Sequence, residues 1–356
     1  MKVNPSSRGV FKLLRFGSVF ILAFLICFLL TPLARKIAYV VGAVDIPKDK
    51  RKIHKKPMPR LGGLAIYFGV IACLLVYIKL DRELIGIILA SSFIVIAGIL
   101  DDIFELRAIY KLAAQLIAAI IFVVFGNTID WMSNPFGEMF KLGILGIPLT
   151  ILWVVGITNA VNLIDGLDGL AAGVATISSV TLFIVSILNQ RYEAAVITIA
   201  IAGACLGFLP FNFNPAKIFM GDTGSMFLGF MLSAISVYST IKSATALAVA
   251  VPILAIGLPI FDTFFAIIRR LINKKPIMKP DKGHIHHRLL DKGLTQRQAV
   301  LVMYGISILF GFSAILISDS NLLKGTIVLG MTLFIAYSGA RLIGIIDFGE
   351  HKKLDA

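Results

Sequence analysis

The chain has 356 residues, 58% of them hydrophobic and 15% charged, and its mean hydropathy is +0.91. Soluble domains hold about 25% charged residues, so this composition excludes an ordinary soluble protein. The apolar residues form blocks of about 17 to 25, the length at which an α-helix crosses a bilayer. A net charge of +14 would suggest nucleic acid in a soluble protein. In membrane loops, basic residues set orientation and attract anionic lipids or substrates, so we expect no nucleic-acid partner.

Hydropathy predicts an all-α polytopic membrane protein with about eleven transmembrane helices. The first block is too long for a signal peptide and lacks a cleavage site, so we interpret it as a retained span. We expect one transmembrane domain over residues 1–356, with spans across 16–346 and a tail at 347–356. The predicted spans are roughly 16–34, 60–78, 84–100, 108–125, 143–159, 169–188, 193–210, 223–240, 244–271, 298–317 and 322–346.

Loop charges predict the orientation. Two loops, after the first and ninth spans, hold Arg35, Lys36, Lys48, Lys50, Arg51, Lys52, Lys55, Lys56, Arg60, Arg269, Arg270, Lys274, Lys275, Lys279, Lys282, Arg288, Lys292 and Arg297. By the positive-inside rule, loops after odd-numbered spans are cytoplasmic, the amino terminus is outside and the carboxyl terminus is cytoplasmic. Lys2, Arg8, Lys12 and Arg15 disagree, but the two loops outweigh them. We expect a multi-pass protein of the plasma (inner) membrane.

Four polar clusters fall on the predicted cytoplasmic side. They are Asp101-Asp102, Asn159-Ala-Val-Asn-Leu-Ile-Asp-Gly-Leu-Asp-Gly169, Phe219-Met-Gly-Asp-Thr-Gly-Ser225 and Gly283-His-Ile-His-His-Arg288. Carboxylates this close to lipid are costly unless they serve a site. The alternative for the second cluster is a polar loop in which Asp and Gly form turns. The common placement of all four predicts a single cytoplasmic site.

Two of the clusters carry carboxylates beside helix ends. Asp101 and Asp102 suit a hard divalent cation such as Mg²⁺, although a solvated helix end is the simpler alternative. Negative charge at a helix carboxyl end, however, opposes the macrodipole. The segment 221–225 opens a helix whose N–H groups could bind phosphate, with Asp222 holding a cation. Its alternative is an ordinary N-cap formed by Asp222 or Thr223.

The fourth cluster concentrates histidine. His284, His286 and His287 could bind Zn²⁺, but no Cys and no separate set of His completes a four-ligand site. Contact with a diphosphate suits these histidines and Arg288 better, because arginine forms forked hydrogen bonds to phosphate oxygens. Asp262 lies in a span that Pro252, Gly257 and Pro259 mark as a broken helix, and its role stays open at this point.

In this order, the motifs resemble the polyprenyl-phosphate N-acetylhexosamine-1-phosphate transferase superfamily. The resemblance rests on Pro59-Arg-Leu-Gly-Gly63, Asp101-Asp102, Asn159-Ala-Val-Asn-Leu-Ile-Asp-Gly-Leu-Asp-Gly169, Met220-Gly-Asp-Thr-Gly-Ser225 and His284-Ile-His-His-Arg288. It implies a Mg²⁺-dependent enzyme, with Mn²⁺ as a substitute, that moves a sugar 1-phosphate from a UDP-N-acetylhexosamine to undecaprenyl phosphate and releases UMP. The His-Ile-His-His-Arg form favours UDP-GlcNAc over UDP-MurNAc-pentapeptide as donor.

The resemblance also implies residue roles. Asn162 and Asp222 look like metal ligands, and Asp101 or Asp102 like the base or nucleophile. Phe219 resembles the residue that stacks on uracil, and Asp168 the one that hydrogen-bonds it. The remaining substrate contacts implied are Lys111, Asp165, His284, His286, His287 and Arg288.

Two other functions compete with this interpretation. A secondary transporter would use Asp222, Asp165 and Asp262 to carry protons or cations. Transporter sites lie near the bilayer midplane, often between duplicated halves, whereas these acids cluster at one face and no repeat is evident. A metal carrier would rest on the histidines of residues 284–288 alone. The expected partners are the nucleotide sugar, undecaprenyl phosphate and membrane lipid, and a homodimer is left open.

Overall fold

The computed structural model describes residues 5–46, 57–132, 140–240, 249–274 and 283–344. The predicted tail at 347–356 lies outside these ranges, as do Lys48, Lys50, Arg51, Lys52, Lys55, Lys56, Lys275, Lys279 and Lys282 of the two basic loops. The α-helices within them are α1 (Pro5–Val41), α2 (Gly62–Tyr77), α3 (Arg82–Phe104), α4 (Ala108–Val124), α5 (Gly146–Ile164), α6 (Leu170–Leu188), α7 (Tyr192–Asn212), α8 (Gly221–Thr240), α9 (Ala250–Ala255), α10 (Gly257–Ile272), α11 (Ile285–Asp291), α12 (Gln296–Ser318) and α13 (Leu322–Ile343).

The prediction of a polytopic α-helical membrane protein is confirmed. Among the described residues, seven helices are long and apolar enough to cross a membrane: Leu13–Val41, Arg82–Phe104, Gly143–Ile164, Leu170–Leu188, Tyr192–Asn212, Gln296–Ser318 and Leu322–Leu342. In the described ranges, strands occur only as two short antiparallel ladders, β1 (Val44–Asp45) with β2 (Met58–Pro59), and β3 (Trp131–Met132) with β4 (Phe140–Lys141).

Helix α8 lies at the centre of the bundle. Its apolar side chains are buried on all sides, as expected of a helix surrounded by other helices. Helices α2, α3 and α5 pack against it. They approach at glycines: a Cβ added at Gly63 would lie 2.1 Å from the backbone N of Gly224, and one at Gly98 would lie 2.5 Å from the Cα of Thr223. The amino-terminal end of α8 is therefore held directly against α2 and α3.

The predicted span 244–271 is interrupted, as its prolines and glycine indicated. Helix α9 ends at Ala255 and α10 begins at Gly257, so the break falls at Ile256. Gly257 also lets α10 pack closely on α12, because an added Cβ would lie 2.9 Å from the ring of Phe310. The break brings Asp262 into the second turn of α10, where its side chain is buried.

Candidate active site

Three carboxylates from two helices meet at one point. Asp101 and Asp102 end α3, Asp222 stands in the first turn of α8, and one oxygen from each lies within 4.8 Å of the others. Lys111 reaches them from α4. Its Nζ is 3.2 Å from Asp101 Oδ2 and 2.5 Å from Asp222 Oδ2. The ammonium therefore lies between two carboxylates and offsets their repulsion.

Asp102 is fully used as a cap for α8. Its Oδ1 accepts the N–H of Asp222 at 3.0 Å, and its Oδ2 accepts the N–H of Thr223 at 3.0 Å and the Thr223 hydroxyl at 2.6 Å. Asp102 therefore occupies two N–H groups of this segment, those of Asp222 and Thr223, and the alternative of a local cap is wrong. Phosphate binding by the segment stays a prediction. The cap comes from α3, where the positive end of the α8 macrodipole also offsets carboxylates at the negative end of α3.

Amide side chains from α4 and α5 complete the cluster. Asn162, at the end of α5, donates through Nδ2 to Asp222 Oδ1 at 3.1 Å and to Ser225 Oγ at 2.9 Å. One turn deeper, Gln115 and Asn159 form a reciprocal amide pair, with Gln115 Nε2 donating to Asn159 Oδ1 at 3.4 Å and Asn159 Nδ2 donating back. The contact from Asn162, together with the one from Lys111, orients the Asp222 carboxylate.

The donor chemistry of this cluster fits a hard divalent cation. Asp101, Asp222 and the amide of Asn162 offer oxygen ligands, which Mg²⁺ prefers, whereas the Asp102 oxygens already accept three hydrogen bonds. No other set of three His, Cys, Asp or Glu side chains comes this close together in the part of the chain that the structure describes. The histidines of residues 284–288 therefore do not form a metal set of their own there.

The Pro59–Gly63 motif positions the segment that leads into α8. The N–H of Phe219 donates to the carbonyl of Pro59 at 2.8 Å, and the N–H of Gly62 donates to the carbonyl of Phe219 at 3.0 Å. The N–H of Gly63 donates to the carbonyl of Met220 at 2.9 Å. Phe219 is half-buried. The motif thus acts through its backbone and holds Phe219 two residues before the helix.

Asp168 ties two loops together. Its Oδ2 accepts from Asn214 Nδ2 and from the N–H of Ala216, each at 3.0 Å. The loop between α5 and α6 is thereby fixed to the loop between α7 and α8, which carries Phe219. Both residues that resemble uracil contacts therefore sit on one connected framework.

The carboxylate of Asp165, just after α5, differs from those of the other acids in its hydrogen bonding. Its carboxylate receives no hydrogen bond from any residue in the described ranges, and it is half-buried. Burial, and then the negative charge of Asp222, raise its pKa to about 8. At neutral pH this carboxyl is protonated and can donate a hydrogen bond.

The histidine helix α11 is anchored at its start by Asp262, the acid whose role the sequence left open. His284 Nδ1 lies 2.9 Å from Asp262 Oδ2, and the N–H of Ile285 donates to Asp262 Oδ1 at 2.9 Å. The ring of His286 rests against Gly166, where an added Cβ would lie 2.5 Å from Nε2. Helix α11 thus packs on the loop that follows Asn162.

The rest of α11 faces both the loop and the carboxyl-terminal helix. The rings of His286 and His287 are 4.2 Å apart, and burial, followed by the charge of His287, lowers the pKa of His286 to about 4. Arg288 donates through Nε to the carbonyl of Gly283 at 3.3 Å and through Nη1 to the carbonyl of Gly344 beyond α13. In this structure, therefore, Arg288 holds α11 to α13.

The structure brings three predicted carboxylates together with the predicted lysine and asparagine: Asp101, Asp102, Asp222, Lys111 and Asn162. Of the other predicted residues, Asp165, Asp168 and Phe219 lie on the two connected loops, and His284, His286, His287 and Arg288 lie at α11, which packs on one of those loops. Sequence reasoning missed Gln115, Asn214 and Asp262 as partners that fix these groups. Each had a signal: Gln115 and Asp262 are polar residues within apolar spans, and Asn214 precedes a proline. Their partners, however, are distant in sequence.

Comparison with known proteins identifies the family. The model of glycosyl transferase family 4 matches residues 84–240. A probable undecaprenyl-phosphate N-acetylglucosaminyl 1-phosphate transferase of Bacillus subtilis is 43% identical over 94% of this chain and 94% of that protein. The chain belongs to glycosyl transferase family 4. The resemblance that the motifs indicated is confirmed.

Further members of the family extend across bacteria. The decaprenyl-phosphate N-acetylglucosaminephosphotransferase of Mycolicibacterium smegmatis is 36% identical over 94% of this chain and 90% of that protein. The undecaprenyl-phosphate alpha-N-acetylglucosaminyl 1-phosphate transferase of Haemophilus influenzae is 32% identical over 82% of this chain and 83% of that protein. The matched family region contains the three clustered carboxylates, Lys111 and Asn162.

Proposed function

We propose that this membrane protein transfers N-acetylglucosamine 1-phosphate from UDP-GlcNAc to undecaprenyl phosphate, releasing UMP. The product is the lipid-linked sugar that starts a cell-envelope polysaccharide. The observation that carries the proposal is the carboxylate cluster around Lys111, built at helix ends in a family whose relatives are named for this transfer. A transporter is not favoured, since its acids would lie in the middle of the spans.

Within the cluster, Asp222 and Asn162 are the proposed ligands of Mg²⁺, for which Mn²⁺ can substitute. A cation held by these two residues would neutralise charge on the diphosphate and on the departing UMP. Asp101 is the better candidate for base or nucleophile, because Asp102 accepts three hydrogen bonds from α8. Lys111 adds positive charge for the diphosphate. The lipid phosphate is largely dianionic at neutral pH, so it needs positioning more than activation.

The donor contacts are assigned to the loops around this cluster. Phe219 stacks on uracil, and Asp168 accepts a hydrogen bond from it while Asn214 holds the carboxylate in place. The protonated Asp165 donates to the sugar or diphosphate. His284, His286, His287 and Arg288 contact the diphosphate and the N-acetylhexosamine from the other side.

Transfer is tested with purified protein, radiolabelled UDP-GlcNAc and undecaprenyl phosphate. Label should move into butanol-extractable lipid, and Asp222→Ala should abolish the transfer. In competition, UDP-glucose should be a very poor donor, because a site that hydrogen-bonds the acetamide rejects an analogue without it. UDP-GalNAc should retain some activity. Absence of label in lipid would refute the function, and preference for UDP-MurNAc-pentapeptide would assign the protein to peptidoglycan synthesis.

We further propose about eleven spans in a single domain over residues 1–356, an amino terminus outside, a cytoplasmic carboxyl terminus and a cytoplasmic active site in the plasma (inner) membrane. A homodimer stays a prediction. Orientation is tested with single cysteines at Arg107 and Lys79, which lie beyond opposite ends of α3, in a cysteine-free background. In intact cells an impermeant thiol reagent should label the Lys79→Cys protein and not the Arg107→Cys protein. The opposite pattern contradicts this orientation.

A further inference from the structure

A buried carboxylate outside the cluster of acids is held by the histidine segment alone. Asp262 is 3% exposed and lies in an apolar helix, where an ionised side chain is costly unless hydrogen bonds satisfy it. Its two oxygens have separate partners, the N–H of Ile285 and Nδ1 of His284, each at 2.9 Å. Both partners belong to the start of α11, so all the described hydrogen bonds of this carboxylate serve one short segment.

We propose that Asp262 is a positioning residue for donor binding, which acts through His284 and the start of α11. The proposal rests on the transferase function given above. A carboxylate accepts and never donates, so Nδ1 of His284 carries the proton and Nε2 is the nitrogen left for a ligand. In this tautomer Nε2 can accept a hydrogen bond from a hydroxyl or N–H of the sugar, which an imidazole with its proton on Nε2 cannot do.

A second contact from the same helix supports this positioning role. Arg269 stands seven positions after Asp262, about two helical turns along, and its Nη1 donates to the carbonyl of Gly283 at 2.9 Å. Helix α10 therefore holds the residues just before α11 with an acceptor and a donor.

The position of α11 matters most to the donor side of the site. The ring of His286 is buried against Gly166, which lies between Asp165 and Asp168 in sequence. No described residue hydrogen-bonds to its buried Nδ1. A shift at the start of α11 would move this ring relative to the loop assigned to the nucleotide sugar. The lipid acceptor has no assigned contact with α11. We therefore expect kcat/KM for UDP-GlcNAc to change and KM for undecaprenyl phosphate to stay the same.

The full-length protein carrying Asp262→Asn is the central variant. Asparagine can still accept the N–H of Ile285, but its amide N–H₂ faces Nδ1 of His284 and forces the imidazole proton onto Nε2. At metal sites, loss of the group that orients a histidine ligand typically lowers affinity or activity about 10- to 100-fold. We expect kcat/KM for UDP-GlcNAc to fall by a factor of that order. KM for undecaprenyl phosphate should stay within about twofold. Thr263→Val is the matched control, since it alters the next residue of α10, whose buried hydroxyl has no hydrogen-bonding partner in the described ranges.

Two further measurements separate positioning from general damage. If Asp262 acts through His284, the double variant Asp262→Asn/His284→Gln should be no slower than His284→Gln alone. NMR of isotope-labelled histidine should show the proton of His284 on Nδ1 in the wild type and on Nε2 in Asp262→Asn, with the resonance assigned by its loss in His284→Gln. This readout does not depend on activity.

The outcomes are distinct. Wild-type donor kinetics in Asp262→Asn, additive losses in the double variant, or an unchanged His284 tautomer would each overturn the positioning role. Equal losses for donor and acceptor, with a lowered Tm, would also overturn it and leave a structural role. If the His284 proton moves from Nδ1 in the wild type to Nε2 in Asp262→Asn, but the wild type transfers no sugar phosphate, the proposed function is refuted instead.

Discussion

Asp102→Ala is expected to lower stability and activity together, whereas Asp101→Asn should remove activity with little change in stability. Alanine at 102 removes the acceptor of three hydrogen bonds from the first turn of α8. A hydrogen bond to a charged group contributes about 1.5–3 kcal/mol, and breaking a buried ionic contact costs about 3–5 kcal/mol. Because the three bonds share one carboxylate, they are not additive, and we expect a loss of about 3–5 kcal/mol.

Asp101→Asn should change the free energy of unfolding much less than Asp102→Ala. Asp101 accepts the N–H of Leu106 at 2.9 Å, and an asparagine can keep that bond. Asp101→Asn gives up an ion pair with Lys111 in which the aspartate side chain is only 10% exposed, but Lys111 keeps Asp222 as its counter-charge. The substitution also removes a buried charge that repels Asp222. Because these effects oppose each other and no charge is left unpaired, the net change should lie within about 1 kcal/mol of zero.

Thermal unfolding of the purified variants in one lipid–detergent mixture with EDTA measures this difference. At roughly 2 °C or more per kcal/mol, Asp102→Ala should lower Tm by about 5–10 °C. Thr223→Val is the matched control, because it removes only the 2.6 Å hydroxyl bond, and should cost about 1–1.5 kcal/mol. A wild-type Tm in Asp102→Ala, or a larger loss in Asp101→Asn, would show that the capping argument is wrong.

Four other predictions test the site. EDTA should stop transfer and Mg²⁺ or Mn²⁺ should restore it, whereas folded Asp222→Ala should stay inactive with added metal; full activity of that variant would contradict the ligand assignment. Phe219→Leu should raise KM for UDP-GlcNAc at least about fivefold, since base stacking contributes about 1–3 kcal/mol, and an unchanged KM would exclude stacking. Arg288→Lys should reduce kcat/KM, because a point charge cannot replace a forked phosphate contact, and indifference would leave Arg288 a structural role through its bonds to Gly283 and Gly344. The raised pKa of Asp165 means that the folded state holds this proton more tightly than the unfolded state, so wild-type stability should fall as pH rises from about 4 to about 8. In metal-free unfolding, Asp165→Asn should lose less Tm over that range, and parallel curves would contradict the shift.

The parts of the molecule that follow from local sequence could be predicted. Runs of apolar residues indicated a polytopic helical protein, and the prolines and glycine of span 244–271 indicated the break that occurs at Ile256. The motifs were enough to identify the family. These features depend on composition and on φ restrictions of single residues, which are readable without knowing what packs against them.

The long-range contacts that give each site residue its partner could not be predicted from local sequence. Local sequence offers Asp222 or Thr223 as the cap of α8, yet Asp102 forms it from 120 positions away in the chain. That contact requires α3 to approach the helix end directly, which Gly98 permits because any Cβ there would clash with Thr223. The link between Asp262 and His284 likewise depends on where α10 lies after its break, which no periodicity reveals.

The cap supplied by α3 also explains how three carboxylates can share so small a space. Placed side by side with only Lys111 as a counter-charge, they would repel one another, and one would be expected to stay protonated. Three hydrogen bonds from the positive end of α8 occupy the Asp102 carboxyl, whereas Lys111 lies between Asp101 and Asp222. The two neighbouring aspartates therefore have different partners. Because the α3–α8 contact gives Asp102 a part in the fold, we propose that Asp101 and Asp222 are the acids that serve substrate and cation.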